Sequence, residues 1–362
     1  MGLRHEFSNL LSTIKVPQNT TDVLQQSTYN KISQFIVNNV PAALFRYRKF
    51  DEQENNLNAL KNDQLWMALP KVMNDVFDSL LFFDKDRIKE EYYTDTHNLD
   101  KICDHLFNGG NFSAGILEMF DEKTLSELLP MMKNLKGNIA IRPYLKKVVN
   151  DYLNPLFESV LESLPDDTIS ILQEARRIAC FSETITSNKM WGHYADYHTG
   201  FALEYDFRDS ELICKKHHSN CGNLWLNYPL FPVVYGEEFD ATEYVTHKMM
   251  DRMIQQLTNG SVVLPFYDWS FFTKGYLYKS DDWSEEQEWR LLSKIEKPDI
   301  EIATYNYINF KAKAIYCGMN ISSENKKLLQ DIAADKEIPI FEMKINSQDR
   351  SIYPVLQSVN LL

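Results

Sequence analysis

The sequence of 362 residues lacks the features that mark membrane and secreted proteins. It has no run of about 18 apolar residues, which a membrane-spanning helix requires. Residues 1–14 carry Arg4, His5 and Glu6 instead of a signal-peptide pattern. The five cysteines are few and odd in number, which favours reduced thiols over a disulfide framework. We therefore expect a cytoplasmic protein with no membrane partner.

Clustered basic charge and several common catalytic motifs are also missing. The formal net charge is −13, which argues against nonspecific nucleic-acid binding because such binding needs clustered Lys and Arg. No P-loop, G-x-G-x-x-G, H-E-x-x-H or G-x-S-x-G sequence occurs, so the chemistries that these motifs serve lack support. Cys214, His217, His218 and Cys221 lie too close together for a usual structural zinc site. We expect a polar loop there and no metal.

Hydrophobic residues make up 44% of the chain and aromatic residues 13%, which is enough for a large core. Their periodicity divides the sequence into three parts. Residues 1–40 form an N-terminal helical segment with a helix over 21–39, and residues 80–178 form a helical insertion. Residues 41–79 and 179–362 form an α+β core, in which the short strands come from distant parts of the sequence.

Individual elements follow from the same periodicity and from helix caps. Strands are predicted at residues 42–50, 64–68, 178–182, 200–206, 231–235, 286–293, 312–318 and 338–345. Helices are predicted at residues 99–107, 114–120, 143–163, 167–177, 190–198, 241–257, 266–278 and 322–334.

The most informative segment is Trp283 to Arg290, which contains two glutamates two positions apart. On a strand, Glu286, Glu288 and Arg290 lie on one face. Like charges this close repel, so the pKa of one carboxyl should be raised unless a cation or polar ligand lies between them. Such pairs serve acid/base chemistry and the stabilisation of oxocarbenium ions. The alternative is a solvated edge strand whose charges keep the sheet soluble.

Three further clusters carry groups suited to ligand binding. Arg46 and Arg48 share one strand face and suit a diphosphate or carboxylate, although they also fit a surface basic pair. Cys180-Phe181-Ser182 ends a strand. In the next helix Trp191, Tyr194 and His198 fall on one side, either as an aromatic wall of a pocket or as a core-packing face. Asn74, Asp75 and Asp78 follow a strand and are either polar contacts at the cleft mouth or ordinary turn residues.

An Arg on an early strand, a Ser after an aromatic residue and a late E-x-E resemble, in this order, the R-S-E class of ADP-ribosyltransferases. The resemblance implies two small mixed sheets around a cleft for NAD, which is the substrate. It implies that Arg46 or Arg48 holds the NAD phosphates and that Ser182 places the nicotinamide ribose. It also implies that Glu288 grips the ribose 2′-hydroxyl and Glu286 serves the acceptor. The remaining residues assigned to NAD are Trp191, Tyr194, His193, Asn74 and Asp75.

The chain also resembles a bacterial family, the domain of unknown function 2971, over roughly residues 41 to 345. The motifs that carry the resemblance begin at Phe45, Pro70, Cys180, Met190 and Trp283. This family name supplies no chemistry. The chain departs from the R-S-E pattern in having Glu183-Thr184 after Ser182 instead of Thr-Ser, and in its long separations between motifs.

We expect an enzyme that cleaves the nicotinamide–ribose bond of NAD and transfers ADP-ribose to an unidentified macromolecular or small-molecule acceptor. One alternative is NAD hydrolysis by a toxic effector of bacterial defence. Another is a non-catalytic module that senses a nucleotide or anion. A third is a metal-dependent nuclease that uses Asp75, Asp78, Glu286 and Glu288, which would require a divalent cation.

Overall fold

The computed structural model describes most of the chain, in segments separated by short gaps. The described residues are 2–13, 22–94, 97–118, 121–133, 140, 142–164, 172–208, 230–237, 239–264, 271–293 and 305–357. The loop with Cys214, His217, His218 and Cys221 lies outside them. No helix in the described segments is long and apolar enough to cross a membrane.

Twelve α-helices and twelve strands lie in the described segments. The helices are α1 (Leu3–Thr13), α2 (Asp22–Asn39), α3 (Asn55–Lys61), α4 (Lys85–Thr94), α5 (His97–Phe107), α6 (Ala114–Leu117), α7 (Glu122–Lys133), α8 (Arg142–Ser163), α9 (Asn188–Tyr194), α10 (Thr242–Leu257), α11 (Phe271–Lys274) and α12 (Ser323–Lys336). The strands are β1 (Leu44–Arg48), β2 (Gln64–Ala68), β3 (Ile178–Ser182), β4 (Phe201–Tyr205), β5 (Leu230–Pro232), β6 (Val234–Tyr235), β7 (Tyr278–Lys279), β8 (Glu288–Leu292), β9 (Tyr305–Asn309), β10 (Ala314–Cys317), β11 (Ile340–Asn346) and β12 (Ser351–Leu356).

The protein is of the α+β class, with one large mixed sheet instead of the expected two small sheets. Ten strands belong to it, eight of them in the order β12-β11-β10-β4-β1-β3-β2-β9. Strand β8 pairs with β3 and carries β5 on its other side. Among the described strands of this sheet, β10 and β11 are the one parallel pair. Strands β6 and β7 form a separate parallel pair.

The sheet is interrupted beside β3. Strand β8 pairs with β3 residue by residue, from Ile178–Leu292 to Ser182–Glu288. Strand β1 meets β3 only at Phe45–Ser182, and β2 meets it only at Ala68–Ile178. On the edge of β3 that faces β1 and β2, no described strand pairs with residues 179–181. The resulting gap between β1 and β2 is where the candidate site lies.

Helices α4 to α8 occupy the chain between β2 and β3, in the segment predicted to be a helical insertion. Ile88, Leu145 and Phe157 from these helices belong to the same buried hydrophobic cluster as Leu203 and Ile315 from the sheet. The helices and the sheet form one packed unit, because each buries its apolar face against the other. The helices therefore form one side of the molecule's main core.

Predicted strands at 64–68 and 178–182 are confirmed without a shift in their ends. In the described part of the predicted helix at 266–278, Phe271–Lys274 is helical as expected, but the helix ends there and Tyr278 begins β7. The predicted helix at 190–198 starts earlier and ends at Tyr194. Asp196, Tyr197 and His198 all have positive φ angles of 48° to 68°, which a right-handed helix excludes.

The turn between α9 and β4 depends on two glycines that allow close backbone approach. A Cβ atom on Gly200 would lie 2.2 Å from the carbonyl oxygen of Arg48, and one on Gly318 would lie 2.1 Å from that of His198. Real side chains do not tolerate such distances. The two glycines therefore hold α9 against β1, which places Tyr194 beside the gap in the sheet.

Candidate functional site

A cavity of about 300 Å³ lies at the gap in the sheet. Its wall comes from β1, the turn after β2, β3, α9, β7, the short 3-10 helix Asp281–Glu286 and the start of β8. The volume is at the lower end of the range for small-molecule sites. Seven of the ten residues predicted to form the site line it: Arg46, Arg48, Asn74, Ser182, Tyr194, Glu286 and Glu288.

Glu288 is a deeply buried carboxylate of the cavity and is held by two basic side chains. Arg290 donates from Nε to Oε1 at 2.8 Å and from Nη2 to Oε2 at 3.1 Å. Lys279 Nζ lies 3.5 Å from Oε2. Burial alone would raise the pKa of Glu288, but Arg290 and Lys279 outweigh it and lower that pKa to about 2. Glu288 is therefore a fixed negative charge at neutral pH.

Glu286 reaches the cavity by a different route from the one predicted. It is the last residue of the 3-10 helix Asp281–Glu286, and Gln287 then adopts a left-handed conformation with φ of 45° before β8 begins. The prediction of a strand from residue 286 is wrong, because this turn breaks the alternation. Both glutamates nevertheless line the cavity. Lys279 Nζ, which lies near Glu288, also donates to Glu286 Oε2 at 2.7 Å. Lys279 is the cation that lies between them.

Tyr194 and Glu286 form a short hydrogen bond inside the cavity. The Tyr194 hydroxyl donates to Glu286 Oε1 at 2.5 Å and accepts from Asn74 Nδ2 at 2.8 Å. Burial and the nearby Glu288 raise the pKa of Glu286, although Lys279 and Tyr194 oppose the shift. The Ser187 hydroxyl caps α9 by accepting from the Met190 amide. Glu286 and Tyr194 are thus a hydrogen-bonded pair along which a proton can pass.

Asp78 completes the buried charge cluster. Its two carboxylate oxygens accept from Arg290 Nη1 at 2.8 Å and Nη2 at 2.6 Å. Arg290 Nη1 also donates to the backbone carbonyl of Tyr276 at 2.7 Å. Arg290 has no exposed surface. A guanidinium without water must satisfy all its donors within the protein, and this one is shared between Asp78 and Glu288. Arg290 therefore sets the position of both carboxylates.

Arg46 presents a half-buried cation to the cavity. Its Nε is buried and has no hydrogen-bond partner among the described residues. The guanidinium carbon lies 5.8 Å from the centre of the Phe181 ring, and burial lowers the pKa of Arg46. Arg48, two positions along the strand, donates to the carbonyl oxygen of Tyr47. A buried donor without an acceptor is uncommon and suits a polar or anionic ligand.

Ser182 and Cys180 form the floor contributed by β3. Ser182 lies directly opposite Glu288 in the ladder, and Cys180 lies opposite Arg290. Ser182 is fully buried, and its hydroxyl accepts from the Thr184 amide at 3.3 Å. Burial and the nearby Glu288 carboxylate raise the pKa of Cys180 well above its usual value, so this thiol stays protonated and is a poor nucleophile.

Three residues assigned to NAD from the sequence do not line the cavity. Trp191 is fully buried in a separate hydrophobic cluster, where its indole donates to the carbonyl of Ile185 and its ring meets Tyr47 edge-on. His193 is exposed on the opposite side of α9 from the core. Asp75 is buried in the loop after β2, where it accepts from the Phe77 amide. Of the three residues of the expected aromatic wall, only Tyr194 therefore lines the cavity. Trp191 packs into the hydrophobic cluster, and His198 lies beyond the end of α9.

The nuclease alternative finds little support in the arrangement of the carboxylates. In the described part of the chain, no group of three or more His, Cys, Asp and Glu side chains is placed to hold a metal ion. Asp78, Glu286 and Glu288 are already engaged in ion pairs with Arg290 and Lys279. Lys279 was not identified from the sequence, since no local pattern marks it. The strand periodicity predicts Arg290 on the same face as Glu288. Its partner Asp78 lies in a segment whose sequence is also typical of an ordinary turn.

Comparison with known proteins supports one of the two resemblances. Residues 190–291 match the family described as Protein of unknown function (DUF2971). The match covers a little over a quarter of the chain, far less than the expected span of residues 41 to 345, and it includes Tyr194, Glu286 and Glu288 but neither Arg46 nor Ser182. No curated protein matches the chain. No solved structure matches it either.

Proposed function

We propose that the cavity binds NAD and that the protein cleaves its nicotinamide–ribose bond and transfers ADP-ribose to an acceptor. The observation that carries the proposal is the meeting of Arg46, Ser182, Tyr194, Glu286 and Glu288 in one cavity, although they are spread over more than 240 positions of the chain. Carboxylates, an aromatic hydroxyl and a guanidinium whose buried Nε has no partner among the described residues provide the groups that this chemistry needs.

In the proposed reaction the bond between ribose C1′ and the nicotinamide nitrogen breaks. Its electron pair goes to nicotinamide, which leaves as a neutral molecule, and positive charge develops on the ribose. Glu288, ionised and fixed by Arg290, stabilises that charge. The acceptor forms a bond to C1′, and its proton passes to Glu286, directly or through the Tyr194 hydroxyl. Arg46 and Arg48 hold the diphosphate.

One observation favours a second candidate, a binding module that senses a nucleotide or anion. Glu288 is neutralised by Arg290 and Lys279, and a compensated carboxylate stabilises a developing cation less than a free one does. In that case Arg46, Arg48 and Lys279 are the functional groups. The helices α4 to α8 would then report occupancy of the cavity to a partner.

The deciding experiment follows nicotinamide release from labelled NAD, with and without cell lysate. We expect Glu288→Gln to lower release by about a hundredfold or more. Glu286→Gln should lose transfer but keep part of the hydrolysis. The matched control is Glu285→Gln, because Glu285 lies in the same turn but is exposed and pairs with Lys189; it should behave like the unmutated protein.

Each other outcome identifies a different function. Release that does not depend on lysate, without labelled acceptor, indicates an NAD hydrolase. No release, together with a rise in melting temperature on adding NAD, indicates a sensing module. Neither release nor a thermal shift rejects NAD as the ligand. Circular dichroism of Glu288→Gln is needed beside these assays, because removing one partner of a buried ion pair costs about 3–5 kcal/mol.

A further inference from the structure

Ser182 and Glu288 occupy the last rung of the β3–β8 ladder. Beyond them the two chains share one more backbone hydrogen bond, from the Glu183 amide to the Gln287 carbonyl at 3.1 Å, and the 3-10 helix Asp281–Glu286 then replaces the ladder. Ladder ends open more readily than ladder centres, because a terminal rung has a neighbour on one side only. The pair that faces the cavity therefore needs support from outside the two strands.

Arg4, on the N-terminal helix α1, supplies that support to both strands at once. Its Nη1 donates to the carbonyl oxygen of Glu288 at 2.8 Å and to that of Val233 at 2.6 Å. Its Nη2 donates to Glu183 Oε1 at 2.6 Å. Glu183 directly follows Ser182 in β3, and the same oxygen accepts from the Trp289 indole at 2.7 Å. One guanidinium thus joins the ends of β3, β8 and the segment after β5.

The backbone of Glu288 is held on its other side by Tyr235. The Glu288 amide donates to the Tyr235 hydroxyl at 2.8 Å, and the Val233 amide donates to the Glu288 carbonyl at 2.9 Å. The Arg4 guanidinium carbon lies 5.2 Å from the centre of the Tyr235 ring. Both polar groups of the Glu288 peptide are therefore satisfied by residues that Arg4 touches.

Helix α1 is fixed in this position by its own packing. Phe7 and Leu11 are fully buried, and the Phe7 ring stacks on Phe35 and Phe231. The Ser8 hydroxyl donates to Glu237. Because the helix is anchored one turn after Arg4, the guanidinium has a defined position.

We propose that Arg4 is a positioning residue of the site, which keeps Glu288 and Ser182 opposite each other across the cavity floor. Its effect on catalysis rests on the proposed function, but its effect on the strand ends does not. Helix α1 is then part of the site, although none of its residues lines the cavity.

Hydrogen exchange tests the proposal without any ligand. In Arg4→Gln we expect the amides of Glu288 and Val233 to exchange at least about tenfold faster, because charge-assisted hydrogen bonds are lost. Arg4→Lys, whose ammonium cannot reach three acceptors as a planar fork does, should be intermediate. The control is Arg142→Gln on α8, which removes an ion pair with Asp104 far from the site. It should leave the exchange of residues 230–235 and 286–292 unchanged.

Kinetics provides the second measurement. If NAD is the substrate, Arg4→Gln should lower kcat about tenfold or more and change KM by less than about threefold, because misplaced groups weaken transition-state contacts more than binding. Unchanged exchange in Arg4→Gln overturns the proposal, as does an equal rise in Arg142→Gln or a rise spread uniformly over the chain. If the unmutated protein neither binds nor cleaves NAD, the proposed function fails, while the exchange result still decides the role of Arg4.

Discussion

At the scale of single residues, the cavity is governed by shared buried charges. Asp78, Glu286 and Glu288 share Arg290 and Lys279, and every one of these side chains is buried. A buried charge whose partner is removed costs far more than the pair contributes. Substitutions in this cluster will therefore change stability and function together, and each needs a stability measurement beside the activity assay.

The two glutamates should respond to pH in opposite directions. The folded state lowers the pKa of Glu288 from 4.5 to about 2, so its ionised form adds stability that is present above about pH 4.5 and is lost as the pH falls towards 2. The pKa of Glu286 is raised from 4.5. The folded state then binds the proton more tightly than the unfolded chain, so ionised Glu286 costs stability as the pH rises above about 4.5.

We therefore expect Glu288→Gln to remove part of the acid-induced loss of stability below pH 4.5. Glu286→Gln should become more stable relative to the unmutated protein as the pH rises above 4.5. Denaturant unfolding of the three proteins at a series of pH values measures both effects. A constant difference in the free energy of unfolding across this range would contradict the assignment.

Trp191 and Tyr194 separate core packing from ligand contact on one helix. Trp191→Ala leaves a cavity in a closed hydrophobic cluster and should cost about 3–5 kcal/mol of unfolding free energy. Tyr194→Phe loses only the hydroxyl bonds to Glu286 and Asn74 and should cost about 1 kcal/mol. The larger effect of Tyr194→Phe should be a further rise in the pKa of Glu286, seen in the pH profile of activity. Similar thermal losses in both variants would assign Tyr194 to the core.

At the scale of elements, the turn after α9 determines where Tyr194 lies. Gly200→Ala would force a Cβ atom against the carbonyl of Arg48 and should cost about 1–3 kcal/mol or more. Gly192 is the matched control, because a Cβ atom there meets nothing within 4 Å in the middle of α9. Gly192→Ala should stabilise the protein by about 0.5–1 kcal/mol. Thermal unfolding compares the two, and equal effects would mean that the turn is not under constraint.

Elements with regular local patterns could be predicted from the sequence, and those fixed by distant contacts could not. Strand β3 and helix α10 follow from periodicity, with at most one residue of difference at the ends. Strand β12 contains Pro354, which an edge strand tolerates but a local pattern argues against. The 3-10 helix that ends at Glu286 is capped by Ser280, whose side chain accepts from the Asp282 amide. Chain order indicated which groups meet in the cavity. Lys279, which lines it, and Arg4, which contacts the strand ends outside it, are brought there by tertiary packing alone.

At the scale of the whole molecule, the shared core predicts a single unfolding transition. Helices α4 to α8 and the sheet contribute to one buried cluster, so neither part should remain folded without the other. Far-UV circular dichroism reports on helix content. Tryptophan fluorescence reports on the chain outside residues 80–178, because all six tryptophans lie there. The two signals should change at the same denaturant concentration. Separate midpoints would show that the helical segment is an independent domain.

The buried Nε of Arg46, which has no hydrogen-bond acceptor among the described residues, has a consequence for the evolution of the chain. A buried donor without an acceptor among the described residues lowers the stability of the folded protein, so Arg46→Met, of similar length and apolar, should unfold at a higher temperature than the unmutated chain. It should also lose most of its affinity for an anion. Selection for stability alone would replace this arginine, so under the proposed function its presence marks a trade-off between the stability of the fold and the binding of an anion in the gap of the sheet.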